Sequence, residues 1–317
     1  MPELITLGET LILFSPEVDG PLRYVERFQR RAAGAESNVA IGVSRLGHSA
    51  GWISRVGDDE FGRYILTSLR ADGVDVSQVR LGPGPTAIMF RERGLLGRVD
   101  VVYYRQGSAA SFLAPDDLDP AYWRGARLLH LTGITPALSA SCRAAVYRAV
   151  ELARANGLAI SFDPNLRLKL WPLAEAQAVL RDLAGRVDWV LVGLEEGKIL
   201  FARRNEEEVA AAILEAGAGA VVIKLGTEGA SLYRRDERIH APAFPVPRVV
   251  DPVGAGDGFD AGFLAGWLKG WNDLDCLRLG ALVGALAVTV PGDVEGYPDW
   301  QQVQRYWQGM AGDLVTR

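Results

Sequence analysis

The feature that most constrains this fold is an alternation of short apolar runs of strand length with amphipathic stretches of helix length. Runs rich in Val, Ile and Leu stand at residues 4–7, 50–55, 128–131, 158–162, 189–192 and 220–224. Helical patterns lie between them at 37–46, 59–71, 141–156, 173–183 and 206–216. Gly47 and Gly73 close the first two of these, and acidic residues open the second, where they meet the positive end of the helix dipole. Strand–helix–strand repetition builds mainly parallel strands with helices packed above and below. Strands that are apolar almost throughout are those buried on both faces. The expectation is an α/β, three-layer fold with a mainly parallel central sheet and helices on both faces.

Two segments break the alternation. Residues 11–31 and 86–107 carry strand patterns, such as Ala-Ile-Met-Phe-Arg-Glu-Arg and Val-Asp-Val-Val-Tyr-Tyr-Arg, and neither leads into a helix. They predict a small β-sheet lid, spanning about 11–33 and 84–108, of the kind that excludes water during a transfer reaction. No repeat, low-complexity tract or Gly/Ser linker divides the chain, so 1–317 reads as one domain with a lid inserted.

Composition narrows the function. The 317 residues, 49% hydrophobic and 23% charged, suffice for a sizeable core. A net charge of −5 with no basic run offers little to nucleic acid, whose binding runs on counterion release by Lys and Arg. Cys142 and Cys276 make no disulfide framework, and His48, His130 and His240 are too scattered for a metal motif. The N-terminus contains Glu3 and Glu9 and has no basic leader, and the most apolar stretch, 281–290, falls short of the about 20 residues that span a bilayer. A cytoplasmic protein with neither a nucleic-acid nor a membrane partner is expected.

The sharpest local feature is Asp251-Pro-Val-Gly-Ala-Gly-Asp-Gly-Phe-Asp-Ala-Gly-Phe-Leu-Ala-Gly266. A turn of Gly254, Ala255 and Gly256 lets backbone N–H groups approach an anion, and a helix starting there adds unpaired N–H groups and its positive dipole end. This is a cradle for a phosphate that gains charge during transfer. Neither the Walker nor the Rossmann glycine pattern is met. A plain tight turn capped by Asp257 has the same local sequence.

The wider segment resembles the C-terminal signature Asp-Thr-x-Gly-Ala-Gly-Asp of the ribokinase-like (PfkB) carbohydrate kinases, with Pro252 for Thr. Ala33-Gly34-Ala35-Glu36-Ser37-Asn38-Val39-Ala40 resembles that family's Gly-Gly-x-x-x-Asn-x-Ala. Arg55-Val-Gly-Asp-Asp-Glu-Phe-Gly62 resembles its Gly-x-Asp-x-x-Gly element, Asp163-Pro-Asn-Leu-Arg167 its Asp-x-Asn-x-Arg, and Lys224-Leu-Gly-Thr-Glu-Gly229 its Lys-x-Gly-x-x-Gly. The resemblance covers nearly the whole chain and implies ATP-dependent phosphorylation of a sugar.

Roles follow from the resemblance residue by residue. Asp257 is the implied general base, which takes a proton from the attacking hydroxyl, and the amides of Gly254, Ala255 and Gly256 are the anion hole. Lys224, Gly226 and Gly229 fall where the nucleotide binds. Asp251 orders the loop and, in the family, often contacts a monovalent cation such as K⁺. Glu196 takes the place of the Glu in an Asn-x-x-Glu motif linked to Mg²⁺ through water, with Gly193 where the Asn is expected. Gly34 and Asn38 are the implied contacts to sugar hydroxyls.

The segment from Val102 to Ala109 is similar to that of 2-keto-3-deoxygluconate kinases, as are Leu131 to Leu138 and Leu170-Trp171. The similarity implies that Arg105 and Arg167, with Tyr103 and Tyr104, hold a substrate carboxylate, for which the guanidinium fork is well shaped. A neutral hexose would leave that charge without its partner. Met89 departs from this pattern, since some of these kinases have a substrate-facing Tyr there. A kinase for a neutral ketose such as fructose or for another sugar acid stays open, as does a non-catalytic sugar-binding regulator. The resemblance also implies a homo-oligomer.

Overall fold

The computed structural model describes residues 1–93 and 99–309. Part of the expected lid, 94–98, and the chain end, 310–317, lie outside the described residues. The strands are β1 (Leu4–Leu7), β2 (Leu11–Pro16), β3 (Phe28–Ala33), β4 (Ala50–Gly57), β5 (Val79–Gly82), β6 (Ile88–Arg93), β7 (Val99–Tyr104), β8 (Leu128–Thr132), β9 (Ala159–Asp163), β10 (Trp189–Gly193), β11 (Ala220–Lys224), β12 (Ala230–Arg234) and β13 (Glu237–Ala241). The helices are α1 (Ala35–Arg45), α2 (Glu60–Ala71), α3 (Thr135–Leu138), α4 (Ala140–Ala155), α5 (Leu173–Ala184), α6 (Leu194–Phe201), α7 (Glu206–Glu215), α8 (Ala255–Leu268), α9 (Asp273–Ala287) and α10 (Trp300–Gly309).

A nine-stranded sheet runs in the order β13-β12-β11-β10-β9-β8-β1-β4-β5. Every pair from β11 to β5 is parallel, and the edge pairs β11/β12 and β12/β13 are antiparallel. Side chains alternate between the two faces, as the strand period dictates. Ile5, Leu7, Leu129, Leu131, Val190 and Val192 pack with α4, α5, α6 and α7. Leu4, Trp52, Leu128, Trp189, Leu191 and Val222 pack with α1, α2, α8 and α9 on the other face. Both faces of the sheet are covered by buried apolar residues, which explains why the strands read as nearly continuous apolar runs.

The two segments that broke the alternation form a separate four-stranded sheet, β3-β2-β6-β7. Its strands alternate inward and outward residues. Leu11, Leu13, Ala33 and Met89 are buried on the side facing the main body, with Val101 and Tyr103 packed against them. Phe14, Phe28 and Phe90 form a ring cluster on the other side. The two sheets are pinned by Asp59, which caps α2 through Gly62 N and also accepts from Thr86 N and Oγ1, the two Thr86 contacts at 2.8 Å.

Candidate active site

The C-terminal ends of the parallel strands open into a cleft of about 610 Å³, roofed by the small sheet. This is where ligands bind in open α/β sheets. Asp163, Gly193 and Lys224 are the last residues of β9, β10 and β11, and all three line it. Gly34, Asn38, Tyr103, Arg105, Arg167, Glu196, Gly254, Gly256 and Asp257 line it too, so residues expected from five separate motifs meet in one place.

The anion turn is built by steric necessity. Gly254 has φ +78°, and a Cβ there would lie 2.0 Å from the carbonyl oxygen of Asp293, so only glycine fits. α2, α4, α7 and α9 each receive a side-chain cap from Asp59, Ser139, Asn205 and Asn272, whereas α8 begins with no side-chain cap at Gly254. Asp257 lies in the first turn of α8 but does not cap it. Its Oδ2 accepts a 2.8 Å hydrogen bond from Asn38 Nδ2. The amides at this helix start are therefore left to face the cleft.

Burial pushes the Asp257 carboxyl up to about 7, with the Asn38 hydrogen bond working against it and the nearby Asp163 charge adding to it. A carboxylate with this affinity for protons is matched to general-base work near neutral pH.

Lys224 sits beneath the turn. Its Nζ donates to Asp163 Oδ2 at 2.9 Å and to Asp260 Oδ1 at 3.0 Å, and a methyl on Gly256 would come within 3.7 Å of it. Although burial disfavours the ammonium, the two carboxylates raise its proton affinity. Asp163 is opposed by burial but held below the usual carboxylate range by Lys224, while burial pushes Asp260 well up. One ammonium between two adjacent carboxyls ionises one of them fully, and the buried partner keeps its proton longer.

Glu196, in the first turn of α6, accepts from the Leu166 amide, and burial followed by the Asp163 charge lifts its carboxyl to about 7. Asn165 is 6% exposed, and its Oδ1 has no hydrogen-bond partner among the described residues. A buried oxygen without a donor beside a carboxyl strained by burial fits a hydrated divalent cation, which bears on neighbouring groups through its own waters.

The carboxylate-binding group needs revision. Tyr103 lines the cleft, but Tyr104, the next residue of β7, points to the opposite face, is 63% exposed and packs edge-on against Phe90. Tyr104 therefore does not reach the cleft. Arg105 does, but its Nη2 lies 2.5 Å from Glu9 Oε2, and Glu9 is held in turn by Ser108 Oγ at 2.6 Å. A neutral sugar would thus not leave Arg105 without a counter-ion. Arg167 forms no ion pair among the described residues. Met89 lines the cleft between these groups and offers no hydroxyl. Gly226 and Gly229 lie past the end of β11 in the turn to β12, outside the cleft lining. Gly229 has φ +100°, and a Cβ there would strike the Ala241 carbonyl at 2.1 Å.

Sequence reasoning missed Glu9, Arg91, Asp260 and Asp293. Asp260 carried a signal, as a charge in the middle of an otherwise apolar helix. The partners of Glu9, Arg91 and Asp293 are far away in the chain, and no local pattern announces them.

No helix among the described residues is long and apolar enough to cross a membrane. The family model "pfkB family carbohydrate kinase" matches residues 1–300. The chain is 40% identical to the 2-dehydro-3-deoxygluconokinase of Bacillus subtilis (strain 168), over 96% of this chain and 95% of that one. It is also 40% identical to the 2-dehydro-3-deoxygluconokinase of Thermoproteus tenax, over 96% and 94%. A putative ribokinase II from E. coli, solved in complex with ATP and Mg²⁺, superposes with a TM-score of 0.90 at 30% identity, covering 97% of this chain and 99% of that one. With these matches spanning nearly the whole chain, it belongs to the pfkB family of carbohydrate kinases and is an ATP-dependent sugar kinase.

Proposed function

We propose that this kinase transfers the γ-phosphoryl group of ATP to the terminal hydroxyl of 2-keto-3-deoxygluconate. The observation that carries the reading is a cleft lined both by Asp257 beside the anion turn and by Arg167, a guanidinium whose charge reaches Glu196 but which is in no ion pair among the described residues. A sugar acid satisfies both, with its hydroxyl on the base and its carboxylate on the fork. The two relatives at 40% identity with this named activity support it.

Asp257 accepts the proton of the hydroxyl as that oxygen attacks phosphorus, and Asn38 holds the carboxylate while keeping its amide oxygen free for a sugar hydroxyl. Gly34 lines the cleft at the start of α1 as an implied sugar contact, and the fold admits only glycine there, since a Cβ would strike the Glu9 carbonyl at 2.4 Å. The amides of Gly254, Ala255 and Gly256, with the Lys224 ammonium below them, receive charge that builds on the phosphoryl oxygens. Glu196 and Asn165 are the residues that would hold the water shell of a Mg²⁺ bound with ATP, which would neutralise charge on the phosphates. The turn at Gly226 and Gly229 borders the nucleotide.

A kinase for a neutral ketose is the second reading, and the Glu9–Arg105 pair favours it, because it removes one of the two cations from the count. The product decides the chemistry. Native enzyme with ATP, Mg²⁺ and the keto-deoxy acid should give one phosphate ester per ADP, with phosphorus coupled to a methylene pair in ³¹P NMR. Coupling to a single methine proton, or ADP without an ester, contradicts the proposal.

A further inference from the structure

Arg91 reaches from the small sheet into the main body. It stands on β6, lines the cleft and is 4% exposed. Its Nη1 lies 2.6 Å from Asp251 Oδ2, and its Nη2 lies 3.2 Å from Asp293 Oδ1. These two carboxylates flank the anion turn. Asp251 Oδ1 accepts from the Val253 amide at 3.2 Å, just before the turn, and Oδ2 also accepts from Gly292 N at 3.2 Å. The Asp293 carbonyl is the atom that crowds Gly254. Guanidinium, carboxylates and turn thus form one unit, and its chain partners are 160 and 202 positions from Arg91.

Electrostatics requires such a group. Two carboxylates beside a phosphate-receiving turn would repel each other and the incoming charge. Burial raises the Asp293 carboxyl, and Arg91 draws it back toward ionisation. Asp251 Oδ2 already carries a guanidinium at 2.6 Å and the Gly292 amide, and a second cation on this carboxylate would face the charge of Arg91, so the residues present do not fit a freely bound monovalent cation there.

Resting on the kinase reading above, we infer that Arg91 is a positioning residue: a built-in cation, delivered by the small sheet, that holds the anion turn and replaces any freely bound monovalent cation at Asp251. The same strand that roofs the sugar therefore braces the phosphate site. The two halves of the reaction are tied through one side chain.

The test compares turnover in potassium chloride and in choline chloride, for native enzyme and for Arg91→Met, with millimolar guanidinium as a rescue agent. Native turnover should agree within about twofold between the salts and gain nothing from guanidinium. Arg91→Met should lose about a hundredfold in kcat, as when an oxyanion-hole donor is removed, with sugar KM little changed. Guanidinium or K⁺ should restore about tenfold of that loss. Native turnover that collapses in choline overturns the inference, and so does Arg91→Met with kcat within about threefold of native. The native salt comparison decides even if Arg91→Met fails to fold. Native enzyme inactive on every sugar in both salts would instead sink the kinase reading, and this inference with it.

Discussion

Asn38 Nδ2 donates to Asp257 Oδ2 across 2.8 Å, joining α1 to α8 over 219 positions of chain. The bond favours the ionised carboxylate, against burial that disfavours it. Asn38→Ala removes the opposition. The acidic limb of the kcat/KM profile, set by Asp257 near 7, should then move about one unit upward. A pH–rate profile of the variant checks this, and an unmoved limb would mean that the titrating group is not Asp257.

Asp257→Asn should lower kcat by about a thousandfold, within the range for loss of a general base. Stability should move the other way. A carboxyl raised to about 7 in the folded protein binds its proton more tightly there than in the unfolded chain. Its contribution to folding is full below the unfolded pKa and is lost as pH rises through about 7. The amide pays no such penalty. Melting at pH 8 should find Asp257→Asn at or above native, with the gap closing in acid. A variant that melts well below native at pH 8 contradicts the burial argument.

Arg167 and Arg105 should separate on substitution. Arg167→Ala should raise KM for the sugar acid about tenfold to a hundredfold, the range for a lost charge-assisted hydrogen bond, and leave a neutral sugar almost unaffected. Arg105→Ala should instead lower the melting temperature, because it strands the buried Glu9 carboxylate. KM values for both substrates, with melting curves, distinguish the two roles.

Lys224→Met leaves Asp163 and Asp260 facing each other without their ammonium. Breaking a buried pair from one side costs about 3–5 kcal/mol. Urea unfolding should report that loss, and Asp260→Asn should cost less, since Asp163 still pairs with the lysine. Glu196→Gln should raise the Mg²⁺ concentration for half-maximal rate about tenfold, the lower end for an outer-shell change.

How far the sequence reached follows from where the information lies. β4, β8, β9 and β10 were legible because each is largely apolar on both faces and followed by a patterned helix, and β1 and β11 by their apolar runs alone. β12 and β13 were not, since the edge pair is antiparallel and Glu237, Arg238 and His240 face solvent. The anion turn was legible because its glycines stand together in the sequence, where Gly254 takes a φ of +78° that favours glycine. Tyr104 was misread because a Tyr-Tyr pair on a strand cannot place both rings in one cleft. Arg91 and Glu9 were invisible in their roles, since each is defined by a partner far away along the chain.

The proposed function pairs a kinase base, Asp257, with a carboxylate-reading arginine, Arg167. Coupled ADP release from native enzyme tests it most directly, with ATP and Mg²⁺ and a panel of 2-keto-3-deoxygluconate, its galactonate epimer, gluconate, fructose and ribose. A clear preference in kcat/KM for the keto-deoxy acids is the predicted result. Turnover of fructose or ribose with none of the acids would contradict it.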